Sequence, residues 1–385
     1  MRNFNYYNPT RILFGQGQIA RIDKEIPATA RVLITYGGGS AKKNGTIDEI
    51  RQALGERAVF EFSGIEPNPH YETLMKGVEL ARAEKIDFLL AVGGGSVMDG
   101  TKFMAAATLF EGDPWKIVES GGRAAKAALP LGTIVTLPAT GSEMNCGGVV
   151  TKIATKDKLA FSNPVMYPRF SVLDPTKTYT LPPRQVANGV VDAFVHVVEQ
   201  YLTYPVNSPI QDRFAEGLLL TLIEEGPKAL ATPLDYDVRA NVMWAATQAL
   251  SGLIAVGVPQ DWSTHMIGHE LTVLFGLDHG QSLAVVLPAT LSVCREAKAK
   301  RLVQYAERVW GIKGLPEDQA IEEAIQRTAA FFESLGVSTR LSGYKLGIKD
   351  IPAVIEQLER HGMIALGENK AITPEVSRRI LELCA

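Results

Sequence analysis

Short apolar runs rich in β-branched residues alternate with amphipathic stretches through the first half of this chain. RVLITY, AVFEF and FLLAV predict buried strands, and TIDEIRQALGE and YETLMKGVELARAEK predict the helices between them. This strand–helix–strand rhythm is typical of a parallel, doubly wound sheet with helices on both faces. The sequence therefore predicts an α/β domain with a Rossmann-like parallel sheet over residues 1–180.

The pattern changes after about residue 180, where the proline-containing segment TLPPRQVANG marks a junction. FAEGLLLTLIEEGPKAL and VRANVMWAATQALSGLIAVG then repeat apolar residues at helical spacing, with short breaks between them. A chain of 385 residues exceeds the size of one ordinary domain. We therefore expect a second, all-helical domain over residues 181–385.

Composition excludes several classes of function. The net charge of −3 argues against a broad surface for nucleic acid or anionic membranes. Cys146, Cys294 and Cys384 are odd in number and far apart, which suggests a reducing compartment rather than a disulfide framework. The N-terminus has no apolar signal core, and no uncharged run is long enough to span a bilayer. These features predict a cytoplasmic protein whose partners are small molecules.

Two glycine turns follow predicted strands, GGGS after RVLITY and GGGS after FLLAV. Glycines allow a phosphate to approach the backbone, and the helix that follows presents free N–H groups. Neither turn matches GxGxxG or the P-loop pattern, and one such turn alone could be only a tight turn. Two of them favour a dinucleotide. The candidate contacts are Gly37, Gly38, Gly39, Ser40, Gly94, Gly95 and Ser96.

The first turn also bears on which dinucleotide is bound. It has no acidic residue, which would bind a ribose 2′-hydroxyl and repel a 2′-phosphate. It carries Ser40, followed by Lys42 and Lys43, and a hydroxyl and cations suit a phosphate. The pattern favours NADP over NAD, although either lysine could simply belong to a solvated helix start.

Further polar side chains follow the second turn and the next predicted strand. Asp99 either orders the backbone on the nicotinamide side or complements the positive end of its helix, and both interpretations remain open. TLPATGSEMN, from Thr136 to Asn145, places hydroxyl and amide groups at a strand end, where α/β sheets bind ligands.

The stretch from residue 192 to residue 279 holds four of the six histidines of the chain. Asp192 and His196 lie four residues apart in an apolar run, so a helix would place them on one face. His265 and His269 repeat this spacing, and His279 follows in a predicted loop. One carboxylate and three imidazoles can enclose a divalent metal. No cysteine lies nearby, so a closed structural zinc site is not expected.

With these motifs the chain resembles the iron-containing (group III) alcohol dehydrogenase family, from NPTRILFG to VSRRI. GGGSVMDGTK, DAFVH, THMIGHEL and LDHG are similar to its glycine-turn, metal-ligand and C-terminal histidine motifs. The similarity is greatest to the branch of bacterial NADPH-dependent aldehyde reductases and butanol dehydrogenases. The family pattern PTTAGTGSE is shortened here to PATGSE.

The resemblance implies roles for individual residues. Metal ligands would be Asp192, His196, His265 and His279, and cofactor contacts would include Gly94, Gly95, Ser96, Thr140 and Lys158. His269 would lie beside the substrate, either relaying a proton to water or only orienting a ligand. The implied reaction transfers a hydride between NADP(H) and small aldehydes or primary alcohols, with Fe²⁺ or Zn²⁺, or else Ni²⁺ or Mn²⁺. A homodimer is also implied, and RILFG predicts an edge strand that could pair with another chain.

Other functions fit the sequence less well. HMIGHE lacks the glutamate of HExxH, which excludes a metalloprotease of that type. A sugar-phosphate cyclase would need converging cations, yet residues 240–292 contain no lysine. An NAD-dependent glycerol or diol dehydrogenase remains an alternative, weakened by the missing acid in the first turn. A non-catalytic NADP or metal sensor is a second alternative, although both sets of motifs are intact.

Overall fold

The computed structural model describes residues 1–385, which form two compact units. The α/β unit comprises Tyr7–Leu181 and Leu234–Thr247. The helical unit comprises Met1–Tyr6, Pro182–Pro233 and Gln248–Ala385. The predicted domains, 1–180 and 181–385, were contiguous. They did not include the assignment of Met1–Tyr6 to the helical unit or of Leu234–Thr247 to the α/β unit.

The strands of the α/β unit are β1 (Arg11–Phe14), β2 (Arg31–Tyr36), β3 (Ala58–Phe62), β4 (Phe88–Gly93), β5 (Leu131–Val135), β6 (Gly147–Lys152), β7 (Asp157–Ser162) and β8 (Phe170–Leu173). Six of them form a sheet in which every neighbouring pair is parallel, in the order β1-β8-β5-β4-β2-β3. This confirms the predicted fold class.

Both faces of the sheet are covered, as expected of parallel strands. Along β2, Leu33 packs into one apolar cluster, whereas Val32 and Ile34 pack into the cluster on the opposite face. β2, β4 and β5 are neighbours in the sheet and run in the same direction. Because the carboxyl ends of parallel strands share one edge, the segments that follow these three strands meet there.

An antiparallel hairpin, β6 and β7, forms a separate two-stranded sheet in the α/β unit. It was not predicted from the sequence. Its register pairs Val149 with Ala160 and Thr151 with Lys158. The hairpin packs beside the helix that follows β4, and it carries one of the predicted cofactor contacts, Lys158.

Helices cover both faces of the sheet in the α/β unit. The strongest amphipathic patterns, TIDEIRQAL and YETLMKGVELARA, form helices as predicted. The helices before the junction are α1 (Ile22–Glu25), α2 (Ser40–Lys43), α3 (Thr46–Leu54), α4 (Tyr71–Ala83), α5 (Gly95–Leu109) and α6 (Trp115–Glu119).

After the junction the chain is helical, which agrees with the predicted all-helical part. The helices are α7 (Pro183–Tyr201), α8 (Pro209–Ala231), α9 (Tyr236–Ala249), α10 (Ser263–Phe275), α11 (His279–Val293), α12 (Ala299–Arg308), α13 (Glu317–Ser334), α14 (Ile351–Arg360) and α15 (Pro374–Leu383). Most of α9 belongs to the α/β unit. An apolar cluster joins α10, α11, α14 and α15, and α7 is buried along most of its length. None of these helices combines the length and the apolar character needed to cross a membrane.

Candidate functional site

Three helices of the helical unit supply the predicted metal ligands. Asp192 and His196 lie one turn apart on α7, and His265 and His269 lie one turn apart on α10. His279 was predicted in a loop, but the structure places it at the first residue of α11. The cause is a capping box at Asp278, which starts the helix directly before His279.

Asp192, His265 and His279 converge, each with one ligand atom within 4.8 Å of the others. Asp192 Oδ1 lies 3.8 Å from His265 Nε2 and 3.6 Å from His279 Nε2. Asp192 Oδ1 and His265 Nε2 are buried and have no hydrogen-bond partner. Buried polar atoms without partners are costly, and a coordinated cation would satisfy them. The donor set therefore fits a divalent metal.

His196, the fourth predicted ligand, lies beside this triad. Its Nδ1 is 3.2 Å from Asp192 Oδ1, although the two atoms form no hydrogen bond, and its ring centroid is 4.4 Å from that of His265. Burial lowers the pKa of His196 to about 4, so its imidazole is neutral near pH 7, as metal ligation requires. Its role as a ligand stays a prediction.

His269, the predicted catalytic residue, is buried among the same side chains. Its ring centroid lies 6.3 Å from that of His265 and 5.3 Å from that of His279. The structure thus places it next to two of the predicted ligands, as a residue beside the substrate would be. Its catalytic role stays a prediction.

Glu199 is a component of this site that the sequence analysis missed. It is buried on α7, seven residues after Asp192 and three after His196. His265 Nδ1 donates a hydrogen bond to Glu199 Oε2. Burial alone would lower the pKa of His265, but the carboxylates of Glu199 and Asp192 outweigh it and raise the pKa to about 9. The spacing i, i+4, i+7 on one apolar helix could have identified Glu199.

Trp262 also borders the site, and no sequence pattern indicated it. Its ring centroid is 6.1 Å from that of His196 and 5.3 Å from that of His265. Its backbone has φ 66°, a left-handed conformation that is rare for an aromatic residue. Such strain persists where the surrounding structure imposes it, often at functional sites.

In the α/β unit, the first predicted glycine turn joins β2 to α2. Gly39 has φ 95°, which favours glycine, and a Cβ on Gly38 would meet no atom within 4 Å. The turn therefore leaves open space in which a ligand could approach the backbone. Ser40 begins α2, and Lys42 Nζ lies 3.5 Å from Glu61. Gly37 packs more tightly, because a Cβ there would lie 3.1 Å from the Ile65 carbonyl oxygen.

The second turn joins β4 to α5 and is closely packed. A Cβ on Gly94 would lie 3.0 Å from Leu137 Cβ, and one on Gly95 would lie 2.4 Å from Thr140 Cγ2. Ser96 Oγ accepts a hydrogen bond from the Asn68 backbone N–H, 3.1 Å away. Glycine at positions 94 and 95 therefore allows the start of α5 to lie close to Leu137 and Thr140, in the segment that follows β5.

The segment after β5 carries Thr136 and Thr140. The Thr136 N–H donates to the Gly93 carbonyl, 2.9 Å away, and Thr140 Oγ1 accepts from the Ser142 N–H, 3.2 Å away. Both predicted cofactor contacts thus lie at the sheet edge that holds the two glycine turns.

Asp99 and Asn145 belong to an internal network. Asp99 accepts hydrogen bonds from Ser142 Oγ at 2.6 Å and from the Val149 N–H at 2.9 Å. Lys102 Nζ donates to Ser142 Oγ and Asn145 Oδ1, both 2.9 Å away, and to the Gly147 carbonyl at 2.7 Å. This network ties α5 to the hairpin. Asp99 and Asn145 therefore order the backbone here, and their contact with a cofactor stays a prediction.

Lys158 lies on β7, and only 3% of its surface is exposed. Its Nζ donates a hydrogen bond to Asn68 Oδ1, 2.9 Å away. Only the family resemblance indicated a role for Lys158. Burial and a polar partner next to the second turn agree with that role, which stays a prediction.

Comparison with known proteins bears on both units. The family model "Iron-containing alcohol dehydrogenase" matches residues 9–175, and the model "Fe-containing alcohol dehydrogenase family, C-terminal" matches residues 186–376. The chain belongs to the iron-containing alcohol dehydrogenase family. Membership confirms the resemblance noted in the sequence and the prediction of an oxidoreductase.

Several members of the family are similar over the whole chain. The NADPH-dependent aldehyde reductase YqhD of Escherichia coli (strain K12) is 62% identical over 384 residues, 99% of each chain. Its crystal structure matches with a TM-score of 0.99 over 100% of this chain and 99% of that one. The NADH-dependent butanol dehydrogenase A of Thermotoga maritima has a TM-score of 0.95 at 34% identity, over 100% and 99% of the two chains. A probable NADH-dependent butanol dehydrogenase of Bacillus subtilis (strain 168) is 38% identical over 387 residues, 99% of each chain.

Proposed function

We propose that this chain is a metal-dependent reductase that transfers a hydride from NADPH to small aldehydes, and that it oxidises primary alcohols in reverse. The observation that carries the proposal is the convergence of Asp192, His265 and His279 around buried atoms that lack partners. The 62% identity to an NADPH-dependent aldehyde reductase supports the choice of reaction and cofactor.

Asp192, His196, His265 and His279 would hold one divalent ion, with Fe²⁺ or Zn²⁺ as the first candidates and Ni²⁺ or Mn²⁺ as others. Such an ion supplies Lewis-acid polarisation of a carbonyl oxygen. The side chains themselves fix the ligand atoms in place, since three of the four are at least 95% buried. Burial excludes water and strengthens electrostatic effects at the reacting carbonyl.

His269 would hold or relay the proton that the product oxygen requires. An imidazole changes charge near neutral pH, which suits this task. Its position beside His279 supports the assignment. The competing interpretation is that His269 only orients a metal ligand. The His269→Gln variant separates the two roles. If His269 orients a ligand, the variant loses metal affinity; if it relays a proton, kcat falls and metal content stays unchanged.

The α/β unit would bind the cofactor along the edge that holds the two glycine turns. The contacts would be Gly37, Gly38, Gly39, Ser40, Gly94, Gly95, Ser96, Asp99, Thr136, Thr140, Asn145 and Lys158. The open space at Gly38 and the length of α5, whose first turn offers N–H groups, support phosphate binding there.

The preference for NADPH would come from the first turn. Glu61, an acid beside Lys42, is engaged by Tyr36 Oη at 2.6 Å and by Arg51 Nε at 2.9 Å. A 2′-phosphate would thus meet cations and N–H groups rather than an unpaired carboxylate. Relatives of this family are named for either cofactor, so the preference rests on this turn and on the 62% identical relative.

A homodimer in the cytoplasm completes the proposal. β1 is an edge strand that pairs only with β8, so its other side could pair with a second chain. The three free cysteines agree with a reducing compartment. Light scattering at micromolar concentration should give about twice 41.8 kDa, and a mass of one chain would refute the dimer.

Steady-state kinetics of the purified protein test the proposed reaction. Butyraldehyde should be reduced with NADPH at a kcat/KM at least about tenfold above that with NADH. A tenfold ratio corresponds to about 1.4 kcal/mol, close to what one charged contact with a phosphate contributes. Faster glycerol oxidation with NAD would instead support the diol dehydrogenase. Binding of NADPH and metal without turnover of any aldehyde or alcohol would support a sensor.

A further inference from the structure

The carboxylate of Glu199 connects the two helices that carry most of the predicted metal ligands. The side chain leaves α7 on the face that bears Asp192 and His196, and it is 3% exposed. Its Oε2 accepts the hydrogen bond from His265 Nδ1, and its Oε1 accepts one from the Thr264 N–H, 2.7 Å away. Both partners lie in the first turn of α10.

We propose that Glu199 is a positioning residue for the metal centre, acting through His265. An imidazole that donates from Nδ1 leaves Nε2 free as the ligand atom. In this structure Nε2 is the atom of His265 that lies 3.8 Å from Asp192 Oδ1 and lacks a hydrogen-bond partner. Glu199 thus selects the nitrogen that faces the site. The inference rests on the proposed function, because it requires that a metal is bound there.

The negative charge of Glu199 also matters for the kind of ion. Asp192 and Glu199 place two carboxylates in surroundings from which water is excluded. Buried charges are stable only when they are compensated. A bound divalent cation would compensate both carboxylates next to its imidazole ligands, so Glu199 would add to the affinity for a divalent ion.

A purely structural role for Glu199 would be to cap α10. That helix end already has another carboxylate, since Asp261 Oδ1 accepts from the Ser263 N–H, 2.9 Å away. The bond to Thr264 could be made equally well by an uncharged amide oxygen. An amide has only one oxygen, however, so it could not accept from the Thr264 N–H and from His265 Nδ1–H at the same time. The two roles can therefore be separated by replacing the carboxylate with an amide.

The experiment compares Glu199→Gln with the wild-type full chain. With its oxygen on the Thr264 N–H, the amide would present an N–H to His265 Nδ1, which moves the imidazole proton to Nε2. We expect the Zn²⁺ dissociation constant, measured by competition with a chelator, to rise at least about tenfold. The visible spectrum of the Co²⁺-loaded protein should change as well, because it reports on ligand geometry.

Glu216→Gln is the matched control. Glu216 is another buried carboxylate of the helical unit, bonded to Tyr201 Oη at 2.9 Å and to Arg308 at 3.0 Å, with no histidine among its partners. Its replacement should lower the thermal stability of the metal-free protein but leave the Zn²⁺ dissociation constant unchanged. The comparison distinguishes the general effect of losing a buried carboxylate from the specific effect of losing Glu199 on Zn²⁺ binding.

If Glu199→Gln does not fold, Glu199→Asp replaces it. The shorter side chain cannot reach both partners, so the Zn²⁺ dissociation constant should again rise at least about tenfold. A folded Glu199 variant that binds Zn²⁺ within twofold of wild type would overturn the inference, even if it melts earlier. That outcome leaves the proposed function standing, whereas a wild-type protein that takes up no Zn²⁺ would remove both.

Discussion

Gly280 permits the close approach of α11 to α7, and its replacement by alanine should disturb the metal site without touching a ligand. A Cβ on Gly280 would lie 2.5 Å from the Asn188 carbonyl oxygen and 2.9 Å from the Asn188 Cα. These are backbone atoms of α7, so no side chain can rotate away. Gly280 directly follows His279, and Asn188 precedes Asp192 by one helical turn.

The size of the effect follows from these distances. Cβ contacts below 3.0 Å are essentially never found, so one of the two helices must move by about 0.5 Å. Metal–ligand distances tolerate changes of only about 0.2 Å. Overpacking of this kind costs about 1–3 kcal/mol of folding free energy. We therefore expect Gly280→Ala to be less stable than wild type and to bind Zn²⁺ at least about tenfold more weakly.

The assay is Zn²⁺ competition with a chelator, together with the thermal midpoint of the metal-free protein. Gly217→Ala is the control, because Gly217 lies on α8 of the same unit and its Cβ would meet no atom within 4 Å. It should gain up to about 1 kcal/mol from helix propensity and keep the wild-type Zn²⁺ affinity. If Gly280→Ala matches Gly217→Ala in both measurements, the steric argument is wrong.

Three further predictions concern the α/β unit. In a double-mutant cycle, Gly95→Ala should lower the free energy of unfolding by about 1–3 kcal/mol less in the Thr140→Ala background than in wild type, because the contacts of 2.4 and 2.5 Å with Thr140 disappear. Additive changes in the free energy of unfolding would contradict this. Gly38→Asp should reduce or reverse the NADPH preference in kcat/KM, since its Cβ meets no atom and its carboxylate would repel a 2′-phosphate. Gly38→Ala should keep the preference. An unchanged ratio of kcat/KM with NADPH and NADH in Gly38→Asp would contradict the proposal that this turn selects the cofactor. Burial lowers the pKa of Lys102 to about 8. Between about pH 8 and 10.5 the unfolded chain therefore binds more protons than the folded protein, and the free energy of unfolding should rise by about 3 kcal/mol across this window. Lys102→Met should lack this gain in urea unfolding, and a stability difference from wild type that does not change with pH would contradict the assignment.

The fold could be predicted where the pattern is local. The alternation of β-branched runs with amphipathic stretches identified the parallel sheet, because each element carries its own period. The β6–β7 hairpin was missed because glycines and charged residues interrupt the apolar pattern of its strands, GGVVTK and DKLAFS, and because some of its contacts are distant in sequence. Lys158 on β7 bonds to Asn68, ninety residues away, and no local pattern indicates such a contact.

The candidate site shows the same division between local and distant information. The i, i+4 pairs identified Asp192, His196, His265 and His269, since helix geometry places each pair on one face. Which nitrogen of His265 faces the site depends on Glu199, which lies sixty-six residues earlier in the chain and meets it only in the folded helices. The strained backbone of Trp262 likewise depends on surroundings that spacing does not reveal.

Removal and return of the metal tests the central claim most directly. The protein would be stripped with a chelator, freed of the chelator, and assayed for butyraldehyde reduction with NADPH before and after addition of Fe²⁺, Zn²⁺, Ni²⁺ or Mn²⁺. The account predicts that activity disappears with the metal, returns with at least one of these ions, and saturates at one ion per chain. Undiminished reduction of butyraldehyde by the metal-free protein would contradict it.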